Sequence, residues 1–309
     1  MKLKTTLEDS KALLGIIQIF KSIQRECVIR LQSNRTRFLS NTGGDGVQVW
    51  VGCRTDVIFK DFRCESHYKE NSITCEILDM QQLFHIVKQI DVQERKNGKK
   101  VYHTLLRLSK RNEKPIIKLT MQSLFDQPDL SYDVPVRILT DQEIESITAP
   151  PLDNKHVKLL VPNLAELAGF VEKIKNTTCE SITFECTEPT ETFGGLKRGR
   201  DSDNRQRCNF SVHAENFLAS FSLTYDGVEQ IIDDKTDSEE DDDEQVEYQT
   251  ASVTVDVKKL ARFFSAIKDM TPNRVSLYLL SDALVLSVSA YNESTSMVSY
   301  DSCQTTVIQ

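Results

Sequence analysis

The second half of this chain repeats the plan of the first. Each half offers a short strand, an amphipathic helix, a run of strands, a second amphipathic helix and further strands. The helices span Asp9 to Arg25 and Asp79 to Asp91 in the first half, and Asn163 to Lys175 and Asp256 to Met270 in the second. A repeat of this kind makes each copy one unit that buries its own helix faces, so the fold class is α+β with two topologically similar domains. The 309 residues suffice for two cores of about 150 residues each. Domain bounds follow at 1–139 and 156–309, joined by a connector over 140–155 that is acidic and contains Pro150-Pro151.

The first helix places Leu13, Ile16, Ile17, Phe20 and Ile23 on one face, with Lys11, Gln18, Ser22 and Arg25 opposite and Lys21 at the margin. Strands follow at Glu26 to Gln32, Thr36 to Ser40, Val47 to Val51 and Val57 to Cys64. Gly43, Gly44, Asp45 and Gly46 read as a hairpin turn, since no Lys-Ser/Thr follows to make a phosphate loop. The second helix buries Met80, Leu83, Phe84, Val87 and Ile90, and leads through a polar hairpin at Arg95 to Lys100 into strands Val101 to Ser109 and Pro115 to Met121. Pro135 makes Tyr132 to Leu139 an edge strand, because proline cannot donate to a ladder.

In the second half, strand His156 to Val161 precedes a helix burying Leu164, Leu167, Ala168, Val171 and Ile174. Strand Ser181 to Thr187 gives way to a polar insertion over 188–205. Strands Arg207 to His213, Phe217 to Thr224 and Tyr248 to Val255 lead to a last helix that buries Val257, Leu260, Ala261, Phe264 and Ile267. Two more strands, Arg274 to Leu280 and Leu284 to Ala290, come near the end.

Charge is unevenly spread. The formal net charge is −8, yet Asp226 to Glu247 holds twelve acidic residues and one lysine, −11 in all. Subtracting −11 from −8 leaves +3 for the remainder. The 226–247 segment lacks aliphatic spacing after Ile232 and reads as a disordered acidic loop. The last helix presents Lys258, Arg262 and Ser265 opposite its apolar face, with Lys259 beside them and Lys268 on a flank. Lys11, Lys21 and Arg25 on the first helix, Lys88 on the second and Lys173 on the third lie on the corresponding sides. Four equivalent helices with basic solvent faces suit salt-sensitive, sequence-independent contact with phosphates of double-stranded DNA.

Catalytic and metal motifs are missing. His67, His85, His103, His156 and His213 show no ligand spacing on one helix face, and no Gly-x-Ser-x-Gly, His-Glu-x-x-His or Walker loop occurs. The expectation is a non-enzyme with no cofactor and no metal. Eight cysteines (27, 53, 64, 75, 179, 186, 208 and 303) without C-x-x-C spacing read as reduced thiols, placing the chain in cytosol or nucleus and making the glycosylation-like triplets at Asn34, Asn176, Asn209 and Asn292 accidental. Ala12 to Phe20 is too short to span a bilayer, so no membrane partner is expected.

Three stretches carry a family resemblance: MKLKTTLED at the N-terminus; GVQVWVGCRTDVIFKDF, Gly46 to Phe62; and the run from Tyr132 to Asn176. With them the chain resembles the sliding clamps, specifically the HUS-one family of the eukaryotic checkpoint clamp (the nine-one-one complex), whose fold is related to proliferating cell nuclear antigen. The resemblance implies a DNA-clamp fold, with helices on the inner face of a ring and antiparallel sheets outside. It implies a heterotrimer with two sister subunits, a checkpoint clamp loader, and repair and signalling proteins as partners. Subunits then meet through sheet edges, here Tyr132, Val134, Val136 and Ile138 on one strand and Phe217, Ala219, Phe221 and Leu223 on the other. Ile144, Ile147 and Leu152 of the connector would flank a groove for partner peptides. Residues departing from the family pattern fall in 188–205 and 226–247. A nucleus-based protein with a cytoplasmic pool is implied, and Lys197-Arg198-Gly199-Arg200 reads either as a nuclear-import patch or as a plain basic loop. Thr236 and Ser238 sit in an acidic run that an acid-directed kinase could use. Two alternatives remain: a homotrimeric replicative clamp, and a clamp-like scaffold that does not encircle DNA.

Overall fold

The computed structural model describes residues 1–23, 27–40, 47–96, 99–125, 127–147, 157–188, 205–231, 250–267, 274–280, 283–289 and 304–308. Two compact units divide the chain. The first contains β1 (Lys2–Leu7), α1 (Ser10–Ile23), β2 (Cys27–Leu31), β3 (Arg35–Leu39), β4 (Val47–Arg54), the single helical turn α2 (Thr55–Ile58), β5 (Phe59–Glu65), β6 (Ile73–Ile77) and α3 (Met80–Glu94). It continues through the two-residue ladder of β7 (Arg95–Lys96) and β8 (Lys99–Lys100), then β9 (Tyr102–Arg111), β10 (Lys114–Ser123), β11 (Leu130–Ile138) and α4 (Asp141–Ser146). The second contains β12 (Val157–Leu160), α5 (Leu164–Lys175), β13 (Ser181–Thr187), β14 (Arg205–Glu215), β15 (Ser220–Ile231), β16 (Ala251–Asp256), α6 (Val257–Ile267), β17 (Arg274–Leu279) and β18 (Leu284–Ser289). A last strand, β19 (Gln304–Ile308), follows.

Every long helix starts at an Asx residue whose carboxyl or amide oxygen takes an orphan backbone N–H. Asp9 accepts from Ala12 at 2.8 Å, Asp79 from Gln82 at 2.9 Å, Asn163 from Glu166 at 3.1 Å and Asp256 from Lys259 at 2.8 Å. One chemical device therefore recurs at four equivalent places, each cap contributing about 1 kcal/mol.

The repeat is also visible in strand order. In the first unit one ladder runs β6-β2-β3-β4 and another β5-β1-β9-β10. In the second the ladders run β16-β13-β14-β15 and β15-β12-β17-β18. The far end of the long β15 pairs β12 through Gln230 and Ile231, the role that the separate β5 plays beside β1. All these pairings are antiparallel.

β11 joins the two ladders of the first unit. From Leu130 to Pro135 it pairs β10, and from Val136 to Ile138 it pairs β6 on its other side. The strand carrying Pro135 is thus not an edge over its whole length. The proline stands at the changeover, where its missing N–H breaks neither ladder.

Helices pack on one face. The Phe20 ring of α1 meets Phe38 of β3 at 6.3 Å, so Phe38 points towards the helices and its neighbours Leu39 and Arg37 point away. Ser10 of α1 donates to Asp91 of α3 at 2.8 Å, tying the helix pair together. In the second unit Phe184, Phe210 and Tyr225 stack in series across β13, β14 and β15, with ring centroids 6.1 and 6.0 Å apart. Leu167, Val171 and Ile174 of α5 and most apolar residues of α6 are buried.

Several expectations need correction. β6 and α4 were not foreseen. Val57 lies in the helical turn α2 rather than in a strand. β15 begins at Ser220 and continues to Ile231, so Phe217 and Ala219 occupy the preceding turn and Asp226 to Ile231 is strand, not acidic loop. β14 starts at Arg205, inside the expected insertion. Ile23, Phe84, Leu164 and Ala168 are only half-buried. Seven cysteines are free thiols, six of them in strands. Gly43 to Gly46, Lys197 to Arg200, Thr236, Ser238, His156, Asn292 and Cys303 lie outside the described residues.

The stacked rings yield a test. Phe210 is fully buried between Phe184 and Tyr225. Phe210→Ala is expected to destabilise the second unit by about 3–5 kcal/mol, measured as a lowered urea midpoint for exchange protection of β13–β15 amides.

Candidate nucleic-acid interface and assembly edges

α6 has the sharpest division of faces. Val257, Leu260, Ala261, Phe263, Phe264, Ala266 and Ile267 are buried, leaving Lys258, Arg262 and Ser265 exposed as one stripe and Lys259 half-buried. No acidic residue falls within α6, so it carries three positive charges. α1 carries two, Lys11 exposed and Lys21 half-buried, and again no acid. The other two helices differ. Exposed Lys88 of α3 shares its helix with Asp91 and Glu94, and exposed Lys173 of α5 shares its helix with Glu166 and with Glu172, which pairs Lys175 at 3.0 Å. The basic signal is concentrated on α1 and α6 rather than spread over four helices. Arg25 and Lys268 lie outside the described residues.

The structure brings two of the expected basic residues together. Lys21 Nζ sits 3.7 Å from the centroid of the Phe84 ring, and Lys88 Nζ lies 6.0 Å from it. This explains the half-burial of Phe84: the ring leaves the core to hold Lys21 over its face, a contact of about 0.5–1 kcal/mol at such a site. Helical periodicity assigned Phe84 to the core because a ring under an ammonium is indistinguishable from a core ring in a hydropathy pattern.

The expected assembly edges divide into backbone and side-chain parts. Among the described residues, Leu130 to Pro135 of β11 and Ser220 to Glu229 of β15 each pair on one side only. These are open ladder edges. Along each edge the side chains of one face differ in burial. Val134 and Val136 are core residues, Tyr132 and Ile138 half-buried, and Phe221 and Leu223 half-buried on β15. Phe217 and Leu218 protrude fully from the turn before β15, which Asn216 fixes by accepting from the N–H groups of Leu218 and Ala219 at 2.9 and 2.8 Å. Beside the β11 edge, Gln82, His85 and Gln89 of α3 and Tyr132 and Asp133 line a groove of about 580 Å³. His85 reaches Gln81 at 2.9 Å, and among the described residues no group of three metal-ligating side chains converges.

On the face away from the helices, one cross-strand row runs Trp50–Leu39–Val28–Glu76–Arg137 over β4, β3, β2, β6 and β11. The connector docks on this row. Ile144 and Ile147, like Trp50, pack against Val28, Leu39 and Leu139; Leu152 lies outside the described residues. Thr140 and Glu143 form a reciprocal capping box that starts α4. Arg137 donates to buried Glu76 at 2.7 Å and also bonds Glu143. The Thr140 N–H, the Arg137 guanidinium and the Thr140 hydroxyl hold the Glu143 carboxyl down to about 2.

A family model described as "Hus1-like protein" matches residues 1–303. The chain belongs to that family. Among curated proteins it is 26% identical over 291 residues to "Checkpoint protein hus1 homolog" of Dictyostelium discoideum, covering 93% of this chain and 94% of that one. It is 24% identical over 179 residues to "Checkpoint protein hus1" of Schizosaccharomyces pombe, covering 57% and 59%. Among solved structures it is similar to proliferating cellular nuclear antigen of Entamoeba histolytica, with a TM-score of 0.63, 12% identity and 99% and 97% coverage. The corresponding antigen of Thermococcus kodakaraensis gives a TM-score of 0.57, 13% identity and 99% and 98% coverage. The fold of this Hus1-like chain is therefore the clamp fold. Among the described residues no helix is long and apolar enough to cross a membrane.

The connector clamp makes two measurable statements. The Glu143 carboxyl, lowered in the folded chain, favours folding above its unfolded value near 4.5, and that contribution is lost as pH falls towards 2. An NMR titration is expected to place its midpoint near 2, with α4 amides losing exchange protection over the same window. Arg137→Leu is expected to cost about 2 kcal/mol through the buried Glu76 carboxylate, read as a lower denaturation midpoint and faster exchange in α4.

Proposed function

We propose that this Hus1-like chain works as a non-catalytic subunit of a DNA-damage checkpoint sliding clamp, a ring of three different subunits around double-stranded DNA. The observation that carries the reading is the family match over residues 1–303 on a chain with the clamp fold. The relatives bear the name of checkpoint proteins, and a checkpoint role carries with it DNA, a nuclear workplace with a cytoplasmic pool, a clamp loader, and repair and signalling proteins as partners.

In this reading Lys11, Lys21, Lys88, Lys173, Lys258, Lys259 and Arg262 face DNA, together with Arg25 and Lys268. Their task is to lower the cost of keeping polyanionic DNA inside a ring without gripping any base, so that the ring slides. The open edges Leu130 to Pro135 and Ser220 to Glu229 suit strand-to-strand joining of neighbours, a use that also hides unpaired N–H and C=O groups from aggregation. Ile144, Ile147 and Leu152 border the surface offered to partner peptides.

Light scattering tests the assembly. The chain alone is expected as a 35.2 kDa monomer, joining a one-to-one-to-one complex when co-expressed with two sister clamp subunits. A stable self-trimer would move the reading to a homotrimeric replicative clamp. Replacing Lys258, Lys259 and Arg262 together by Gln is expected to weaken retention of the loaded ring on DNA. The slope of log K against log salt should flatten by about 2.7, roughly 0.9 for each charge removed. An unchanged slope would leave only a scaffold that does not encircle DNA.

A further inference from the structure

The face of β5, β1, β9 and β10 turned away from the helices carries a line of cations that the clamp reading does not use. Register places Arg63 of β5 opposite Lys4 of β1, Lys4 opposite Arg107 of β9, and Arg107 opposite Lys118 of β10. Directly opposed residues of a pleated sheet share a face, so the four side chains form one row across four strands. Residues of the other parity, Leu3, Leu106 and Leu119, are buried on the side where α3 packs against β9. Arg63, Lys4 and Arg107 are exposed and Lys118 is half-buried. The next row on the same face reads Lys60–Thr6–Leu105–Thr120–Ser131 and adds a fifth cation, also exposed.

Acidic residues do not balance this surface. Like charges directly opposite each other destabilise a sheet, and here three such pairs follow one another across adjacent strands. Among the described residues, the side chains of Lys4, Lys60, Arg63, Arg107 and Lys118 make no ion pair or hydrogen bond. Glu65 is taken by Lys2 at 3.0 Å, and Asp133, opposite Lys118, is taken by Arg111 at 3.0 Å. Asp61 sits between Lys60 and Arg63, where the β5 register shifts, and holds left-handed backbone with φ 53°. Setting Asp61 and Asp133 against the five cations and Arg111, two acids against six cations, leaves four positive charges. They gather on one sheet face of a chain whose formal net charge is −8.

We propose that this row binds the phosphate backbone of duplex DNA, as a second contact on the sheet face away from the helices. Strands lie about 4.8 Å apart, so the row extends about 14 Å, more than the roughly 6 Å width of the minor groove. Its long side chains can therefore meet phosphates of both strands. Thr6, Thr120 and Ser131 beside the row supply hydroxyl donors of the kind that phosphate oxygens accept. Neither row contains an aromatic side chain, so a single strand finds no platform for its bases. Leu105 is the one apolar side chain in the two rows, which leaves an acidic peptide nothing but charge to hold it. The site goes beyond the clamp reading and does not depend on ring closure.

Binding is measured on the full chain by anisotropy, with Lys258, Lys259 and Arg262 already replaced by Gln so that the α6 stripe is neutral. The probe is a labelled blunt duplex of about 30 base pairs, and the slope of log K against log salt is expected near −4, roughly 0.9 for each phosphate met. Adding Lys4→Gln and Arg107→Gln should weaken binding at least tenfold and flatten the slope by about 1.8. Arg107→Lys alone, which keeps the charge, should keep the slope. An unchanged slope in the Lys4→Gln, Arg107→Gln chain would overturn the proposal. So would polyglutamate of equal charge competing as well as unlabelled duplex, which would make an acidic protein the occupant. Removing like charges should leave the melting temperature unchanged or raise it; a lowered one would show the row to be structural and overturn the proposal too. None of these failures touches the clamp reading, because the chain is measured alone and with its helix stripe neutralised.

Discussion

One-sided helix cover is the constraint on which the first unit depends. Phe20 of α1 reaches Phe38 on β3, and alternation along an antiparallel strand then turns Arg35, Arg37 and Leu39 the other way. The helix side needs apolar filling at every alternate residue. The opposite side has no such demand, so it can carry Trp50, Leu39 and Val28 as an apolar strip and arginines beyond them. Strand β11 makes this division continuous, because its changeover at Pro135 lets β10 and β6 belong to one curved surface instead of two separate sheets.

Docking of α4 follows from that division. An isolated six-residue helix is unstable in water, since nucleation costs more than one turn returns. Here the capping box of Thr140 and Glu143 satisfies the first turn, Ile144 and Ile147 cover the apolar strip, and Arg137 links Glu143 to Glu76. The bridging arginine extends the cross-strand row, so the register that aligns Val28 with Glu76 also fixes where the connector begins.

The parts legible in the sequence were those with a period and a stop signal. The four long helices have apolar residues at helical spacing and an Asx residue at their start, and the same Asx chemistry caps all four. β6 escaped because all five of its residues are buried; a strand covered on both faces shows no alternation, and Thr74 and Glu76 obscure its apolar character. α4 was readable from Thr140-Asp141-Gln142-Glu143, a capping-box signature that proline-rich surroundings overshadowed. Phe217 and Leu218 look like the start of a strand, yet Asn216 turns the chain there and leaves both outside.

Uneven charge on the helices fits a division of labour. Exposed charges act over about 8 Å at physiological ionic strength, so a cluster on α6 influences only charges beside it. α1 and α6 hold lysines and arginine with no acid, whereas the cations on α3 and α5 share their helices with Asp91, Glu94, Glu166 and Glu172. Self-association of one chain would repeat this imbalance identically around a ring. In the proposed ring of different subunits, neighbouring chains would supply the positive charge that α3 and α5 lack.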